Sequence, residues 1–214
     1  TLYIYGAPVA GTGVTITNNY ALWVDGGSVR FDGDLITGGA TTQTKTVGVF
    51  FTTTAIGVSS NNTADTTLIR GIIGTTSLVA NTLSEGRTIR LQAWGYYNTA
   101  GPGADNLTMR VKLGGTTVLT TGAQTPVASV SSAGWSLNAL ITCQTTGGAG
   151  TVFAQGEFPH FDNTTTFKNW AMVNSSTILI NTTGANVVEI TAQWGGASSA
   201  SQIFLTQAVG ELLN

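Results

Sequence analysis

The chain has 214 residues, of which only 8% are Asp, Glu, Lys or Arg, whereas a soluble domain ordinarily carries about 25%. The net charge is −2 and no cluster of Lys or Arg occurs, which argues against nucleic-acid binding by phosphate neutralisation. The apolar runs are far shorter than the ~20 residues that cross a bilayer. Hydroxyl, carboxamide and backbone groups must therefore provide most of the contacts with water. This composition favours a durable β-rich assembly over a metabolic enzyme.

Residues 1–40 differ from the rest of the chain because their strand candidates are very short. Glycine-containing turns follow Asp25 and Asp32, where Gly supplies positive φ and Asp bonds its own backbone. Such short strands bury little surface, and even an isolated hairpin is marginal in water. We expect this segment to need partner chains.

The same segment contains an acidic cluster formed by Asp25, Asp32 and Asp34. Paired carboxylates about 5–9.5 Å apart can hydrolyse glycosidic bonds, and carboxylates with turn carbonyls can bind Ca²⁺. Asp beside Gly is, however, turn chemistry in the first place, and the sequence lacks a Gly-x-Ser-x-Gly elbow, a phosphate loop and a dinucleotide fingerprint. We predict no enzyme, no cofactor and no metal site, with a polysaccharide depolymerase and a calcium site at these aspartates as alternatives.

A polar connector at residues 38–44 leads into a region of clear two-residue periodicity. Residues 107–113 alternate apolar and polar side chains, and Gly114 and Gly115 then predict a two-residue hairpin loop. No stretch shows the stripe of an amphipathic helix. The sequence thus predicts an all-β chain with a short-stranded N-terminal segment at 1–40 and a two-sheet jelly-roll β-sandwich at 45–214. The remaining alternating or β-branched runs lie at residues 47–58, 67–73, 87–97, 135–143, 151–154, 177–182, 187–194 and 202–209.

Residues 96–106 form a long polar turn that two adjacent aromatic residues enter. Tyr96 and Tyr97 can stack on a sugar ring, and Asn98, Asp105 and Asn106 can hydrogen-bond to its hydroxyl groups. Recognition usually lies on loops of a rigid scaffold. We predict a candidate glycan or receptor contact at these five residues, with an ordinary wide hairpin loop as the alternative.

Four other residues favour structural roles. Trp135 and Trp194 are in phase with apolar neighbours, which predicts core positions for both. Cys143 is the only cysteine and is expected to be buried, as free thiols usually are. His160 is the only histidine, so it cannot supply the two or three imidazoles of the usual zinc site. We expect a hydrogen-bonded structural histidine, with an interface role as the alternative.

Three segments resemble bacteriophage appendage proteins. Residues 20–33 (YALWVDGGSVRFDG) are similar to a repeated element of tail fibres, tail spikes and head fibres. Residues 140–152 (LITCQTTGGAGTV) and 188–203 (VEITAQWGGASSASQI) resemble the terminal jelly-roll domain of phage virion proteins. The chain contains one clear copy of the first element, which favours a stubby knob or a capsid decoration over a long fibre.

The resemblance implies a homotrimer on the virion surface, with an intertwined attachment neck and an exposed sandwich. Its expected partners are further copies of the chain and other virion proteins, with host surface glycans as a further possibility, and neither nucleic acid nor membrane. A lectin-like carbohydrate-binding module is the alternative. The neck residues expected to contact other copies are Tyr20, Leu22, Trp23, Val24, Val29 and Phe31.

Overall fold

The computed structural model describes residues 48–101, 103–162 and 165–214, and all regular structure in this part is β. The predicted neck residues, the three aspartates of the acidic cluster and the boundary at 40–45 lie outside the described residues. No helix in the described part could span a membrane. The strands are β1 (Gly48–Thr53), β2 (Gly57–Ser60), β3 (Thr66–Thr67), β4 (Ile72–Gly74), β5 (Ser77–Leu78), β6 (Thr88–Asn98), β7 (Leu107–Leu113), β8 (Thr116–Thr120), β9 (Ala133–Thr145), β10 (Gly150–Phe161), β11 (Phe167–Val173), β12 (Ile178–Ile180), β13 (Asn186–Trp194) and β14 (Gln202–Leu212).

Alternation of side chains determines which face of each long strand is buried. In β9, every second residue from Ala133 to Cys143 is buried, and the residues between them are more exposed. The predicted turn between β7 and β8 is confirmed, because Gly114 and Gly115 both have positive φ, at 57° and 81°. This geometry is that of the two-residue turns that match strand twist.

The strands form two antiparallel sheets. The nine-stranded sheet has the order β11-β10-β9-β6-β14-β1-β4, with β12 also pairing β10 and β2 also pairing β14. The five-stranded sheet has the order β3-β13-β7-β8, with β5 also pairing β13. The predicted all-β sandwich is confirmed.

The connectivity is that of a jelly roll. Four antiparallel pairs are nested along the chain, namely β1 with β14, β3 with β13, β6 with β9, and β7 with β8. These nested pairs form one long antiparallel hairpin. The pairings of β14 with β6 and of β13 with β7 fold that hairpin into two sheets. The segment from β10 to β12 is inserted between β9 and β13 and widens the first sheet.

The core lies between the inner faces of the sheets. Trp194 is fully buried and donates its indole N–H to the Ser59 carbonyl at 3.2 Å, and Trp135 is 4% exposed, so the predicted core positions of both are confirmed. Cys143 is buried as predicted. Burial, and then the charge of Glu85, raise the pKa of its thiol, which keeps the sulfur protonated.

Candidate functional site

The predicted glycan site lies partly on a strand and partly on a loop. β6 continues to Asn98, so Tyr96 and Tyr97 point to opposite faces of the sheet. Tyr97 is 1% exposed and donates its hydroxyl to the Phe161 carbonyl at 2.7 Å. Burial and then the charge of Asp162 raise its pKa. The expected ligand contact of Tyr97 is therefore corrected to a core position.

The polar members of the predicted site hold neighbouring loops together. Asn98 donates its side-chain N–H to Gln202 and accepts a hydrogen bond from a backbone N–H. Asp105 accepts a hydrogen bond from Ser201 Oγ at 2.9 Å, and Asn106 accepts one from Thr125 Oγ1 at 2.6 Å. These contacts tie the loop to the two segments beside it, and a glycan contact there stays a prediction.

His160 lies on β10, near the turn to β11, and its side chain is buried in the core. Its Nδ1 lies 3.2 Å from the Phe158 carbonyl oxygen and its Nε2 lies 3.6 Å from Asp162 Oδ1, while Lys168 pairs with the other oxygen of Asp162. Burial lowers the pKa of His160, although the Phe158 carbonyl and the Asp162 charge act in the opposite direction. The imidazole packs 4.2 Å from the Trp170 ring. These contacts agree with the structural role expected for His160.

The outer face of the nine-stranded sheet presents many exposed side chains. Register across β11, β10, β9, β6, β14 and β1 aligns outward side chains into rows. We use "outer face" for four of these rows, the last of which ends on β2. They are Val173, Gln155, Leu140, Arg90, Glu211 and Val49; Ala171, Glu157, Asn138, Gln92, Val209 and Thr52; Asn169, Pro159, Ser136, Trp94 and Gln207; and Phe167, Phe161, Gly134, Tyr96, Phe204 and Val58.

A hydrogen-bonded ladder crosses the middle of the outer face. Gln92 Nε2 donates to Asn138 Oδ1 at 3.1 Å, and Asn138 Nδ2 donates to Glu157 Oε1 at 3.5 Å. Asn169 Nδ2 donates to Glu157 Oε2 at 3.1 Å. The carboxylate of Glu157 thus receives two amide donors, which compensate part of its desolvation if the face becomes covered.

A depression of about 540 Å³ is lined in part by this ladder, through Gln92, Asn138 and Glu157. Arg90 borders it, and its Nε donates to Glu211 Oε2 at 2.5 Å. The other lining side chains combine amides with aliphatic groups and include Gln92, Asn138, Leu140, Gln155 and Val173. This chemistry suits either a polar ligand with an apolar side or apolar side chains of another protein.

Large apolar side chains are exposed at several places on the outer face, and Leu140 and Val173 also line the depression. Val173 is 67% exposed, Phe167 60% and Leu140 49%. Val49, Val58, Trp94 and Phe161 on the outer face and Leu213 at its margin are exposed as well. Phe161 and Phe167 contact each other, and exposed apolar side chains that cluster in this way usually mark interaction sites. Sequence analysis did not find this face, because its rows join residues from seven strands, and an exposed Leu or Val carries no signal on its own.

The outer side of the five-stranded sheet has the opposite character. Arg110 and Lys112 both pair with Asp65, and Glu189 lies on the same side. Burial acts to raise the pKa of Asp65, but the hydrogen bond from Lys112 and the charges of Lys112 and Arg110 outweigh it, so the pKa lies below its ordinary value. The outer side of this sheet thus carries charged groups, as expected for a face in contact with water.

The described residues contain no group of three or more His, Cys, Asp or Glu that could hold a metal ion. Comparison with known proteins gave no match to this chain among family models, curated proteins or solved structures.

Proposed function

We propose that the chain is a non-enzymatic structural protein of a bacteriophage particle. It is exposed on the virion as a capsid decoration, a head fibre or a tail-tip component, and it works as a homotrimer. The observation that carries the proposal is the broad outer face of the nine-stranded sheet, which is rich in exposed apolar side chains and poor in charge. A face of this chemistry favours assembly over solvation as a monomer.

Two further observations support the virion assignment. The resemblance of residues 20–33, 140–152 and 188–203 to phage appendage proteins covers both proposed parts of the chain. The jelly-roll connectivity is also one that viral capsid domains use, although lectins and other proteins share it. In this proposal, residues 1–40 attach the protein to other virion proteins, and the sandwich stands on the particle surface.

Purified particles provide the test of this proposal. Mass spectrometry of phage particles that banded in a density gradient should detect the chain at a fixed ratio to the major capsid protein. Light scattering of the purified full-length chain should give three times the 22.0 kDa mass of one copy. Detection only in the soluble fraction of the lysate would reject the virion role, and a monomer at micromolar concentration would reject the trimer.

A lectin-like module is the second candidate function. The ladder of Gln92, Asn138 and Glu157 beside the depression favours it, because amide and carboxylate groups can pair with sugar hydroxyls. Trp94 lies in the next row of the outer face and is 39% exposed, so its ring can pack on a pyranose. Glycan arrays probed with the full chain and with Asn138→Ala test this candidate, with Asn181→Ala as a control in an exposed turn. Equal binding by all three proteins would exclude the ladder as a sugar site.

A further inference from the structure

We propose that the outer face binds a neutral, linear glycan along β9, with one sugar ring above Gly134 and the hydroxyl groups of a following unit on the ladder. The proposal rests on the lectin-like candidate function and adds the position, the direction and the charge of the ligand. It does not depend on how many copies of the chain assemble.

Two short side chains leave space on the outer side of β9. Gly134 and Ser136 occupy consecutive outward positions, because Trp135 between them is buried in the core. A Cβ added at Gly134 would meet only Phe161 Cδ2, at 3.9 Å, among the described residues. The space above this glycine is therefore open on the outer face.

Ring side chains border this space on both sides. On β6, Tyr96 and Trp94 pair with the two short residues of β9. On β10, the register places Phe161 and Pro159 opposite the same two residues. Trp94 and Phe161 are exposed. We call the space between these four side chains the aromatic cleft.

The free face of the Tyr96 ring is turned into the aromatic cleft. Tyr96 stacks on Phe204 of β14, with ring centroids 4.5 Å apart and an interplanar angle of 17°. Because β6 lies between β14 and β9, Phe204 covers one face of Tyr96 and the other face is on the side of β9. The two strands that flank β9 are about 9.6 Å apart, and a ring in van der Waals contact on both sides needs about 7–8 Å. One sugar ring therefore fits in the cleft.

The aromatic cleft continues into the ladder. Asn138 is the next outward residue of β9 after Ser136, and it forms the ladder with Gln92 and Glu157. These three ladder residues also line the depression of about 540 Å³. Gly134 and Asn138 are four residues apart, which is about 14 Å along an extended strand. The cleft and the depression together are thus long enough for successive units of one glycan chain.

The side chains in these two parts match the two kinds of surface that a sugar has. A pyranose carries C–H groups on its faces, which pack on aromatic rings. It carries hydroxyl groups at its edge, which pair with amides and carboxylates such as those of Asn138 and Glu157. An apolar protein surface over the ladder would instead take these polar groups out of water without supplying partners. A carbohydrate is therefore the favoured occupant.

The charge of the outer face favours a neutral chain. The charged residues in its four rows are Arg90, Glu211 and Glu157. Arg90 pairs with Glu211, so the carboxylate of Glu157 is the charge that remains beside the cleft. This negative charge repels the carboxylates of acidic sugars and the phosphates of nucleic acids.

A substitution that fills the aromatic cleft tests the proposal. Gly134→Val places a β-branched side chain at an open strand position, where it should leave the fold intact. Calorimetric titration of the full chain with short gluco-, galacto- and manno-oligosaccharides identifies the sugar that the wild type binds. Gly134→Val should bind this sugar at least about tenfold more weakly. The matched control is Gly148→Val, which adds the same bulk where the space is also open, after β9, and should bind like the wild type.

A second variant tests the expected charge of the ligand. Glu157→Gln removes the remaining negative charge and keeps hydrogen-bonding groups at the same position. The uronic acid form of the bound oligosaccharide, with C6 oxidised to a carboxylate, should bind the wild type at least about tenfold more weakly than the neutral form. Glu157→Gln should reduce this difference. Equal or tighter binding of the acidic form by the wild type would overturn the proposal.

A measurement on the unmodified chain covers the case in which Gly134→Val does not fold. In an NMR titration with the bound oligosaccharide, the backbone amide signal of Gly134 and the side-chain amide signal of Asn138 should both shift. The backbone amide signal of Gly115, in the β7–β8 turn of the other sheet, should stay in place.

The outcomes separate this proposal from the candidate functions. If none of the neutral oligosaccharides binds at millimolar concentration, both this proposal and the lectin-like candidate are rejected, and the virion role stands. If a sugar binds but Gly134→Val leaves its affinity unchanged, or the Gly134 signal does not shift, the proposal is overturned while the lectin-like candidate stands with its site elsewhere.

Discussion

Replacing Phe158 by Ala tests how the inserted β10–β11 hairpin is attached to the jelly roll. Phe158 is fully buried on the inner side of β10. Its ring centroid lies 5.2 Å from that of Trp135 on β9 and 5.5 Å from that of Trp170 on β11, with interplanar angles of 22° and 14°. The phenyl ring thus lies between two indoles and connects three adjacent strands.

The expected cost of this substitution is large. Phe→Ala changes in well-packed cores lower the free energy of unfolding by about 3–5 kcal/mol, and each aromatic pair contributes about 0.5–1.5 kcal/mol beyond its buried area. Phe158 takes part in two such pairs, so we expect a loss in the upper part of the range, about 4–5 kcal/mol. A domain has only about 5–15 kcal/mol in total, and the variant should therefore be severely weakened.

Urea unfolding followed by tryptophan fluorescence measures this loss, because two of the reporting indoles contact Phe158. The matched control is Phe167→Ala on the same hairpin, where the wild-type ring is 60% exposed. The control should lose less than about 1 kcal/mol. Equal losses for the two variants at the same protein concentration, or a loss below 1 kcal/mol for Phe158→Ala, would refute the packing of these three strands.

Three further predictions concern His160, Gly95 and Cys143. Because burial lowers the pKa of His160, the unfolded chain binds more protons below about pH 6.5, so the free energy of unfolding should fall between pH 7 and 5, with a smaller slope in His160→Gln. Gly95→Ala should yield little folded protein, since its Cβ would lie 1.8 Å from a carbonyl oxygen of β14, whereas Gly148→Ala, where the space is open, should change stability by less than about 0.5 kcal/mol in a melting experiment. The Cys143 thiol should react with a thiol reagent in urea and remain unreactive in the folded protein.

Local patterns predicted much of the sandwich. The alternation from Trp135 to Cys143 and the glycine pair after β7 each determine one strand face or one turn, and both are confirmed. The jelly-roll class followed from strand spacing. The sequence analysis did not predict β11, because Lys168 and Asn169 interrupt its apolar pattern. Only its pairing with β10 identifies this segment as a strand.

The candidate site was less predictable for a physical reason. Tyr96 and Tyr97 look equivalent in the sequence, and only the continuation of β6 sends one ring to the core and the other to the outer face, where it stacks on Phe204. The ladder from Gln92 to Asn169 depends on pairings between strands that are far apart in the chain. Such a surface depends on which residues of neighbouring strands pair with one another, and a short stretch of sequence does not contain this information.

The nested order of the strands also determines when the protein can fold. β14, the last of the described strands in chain order, pairs with β1, β2 and β6 in the first sheet. Until residues 202–212 have been synthesised, β1 and β2 lack this neighbour and expose unpaired strand edges, which promote aggregation. Because its contacts join residues far apart in sequence, the domain should fold slowly and only after residues 202–212 have been synthesised.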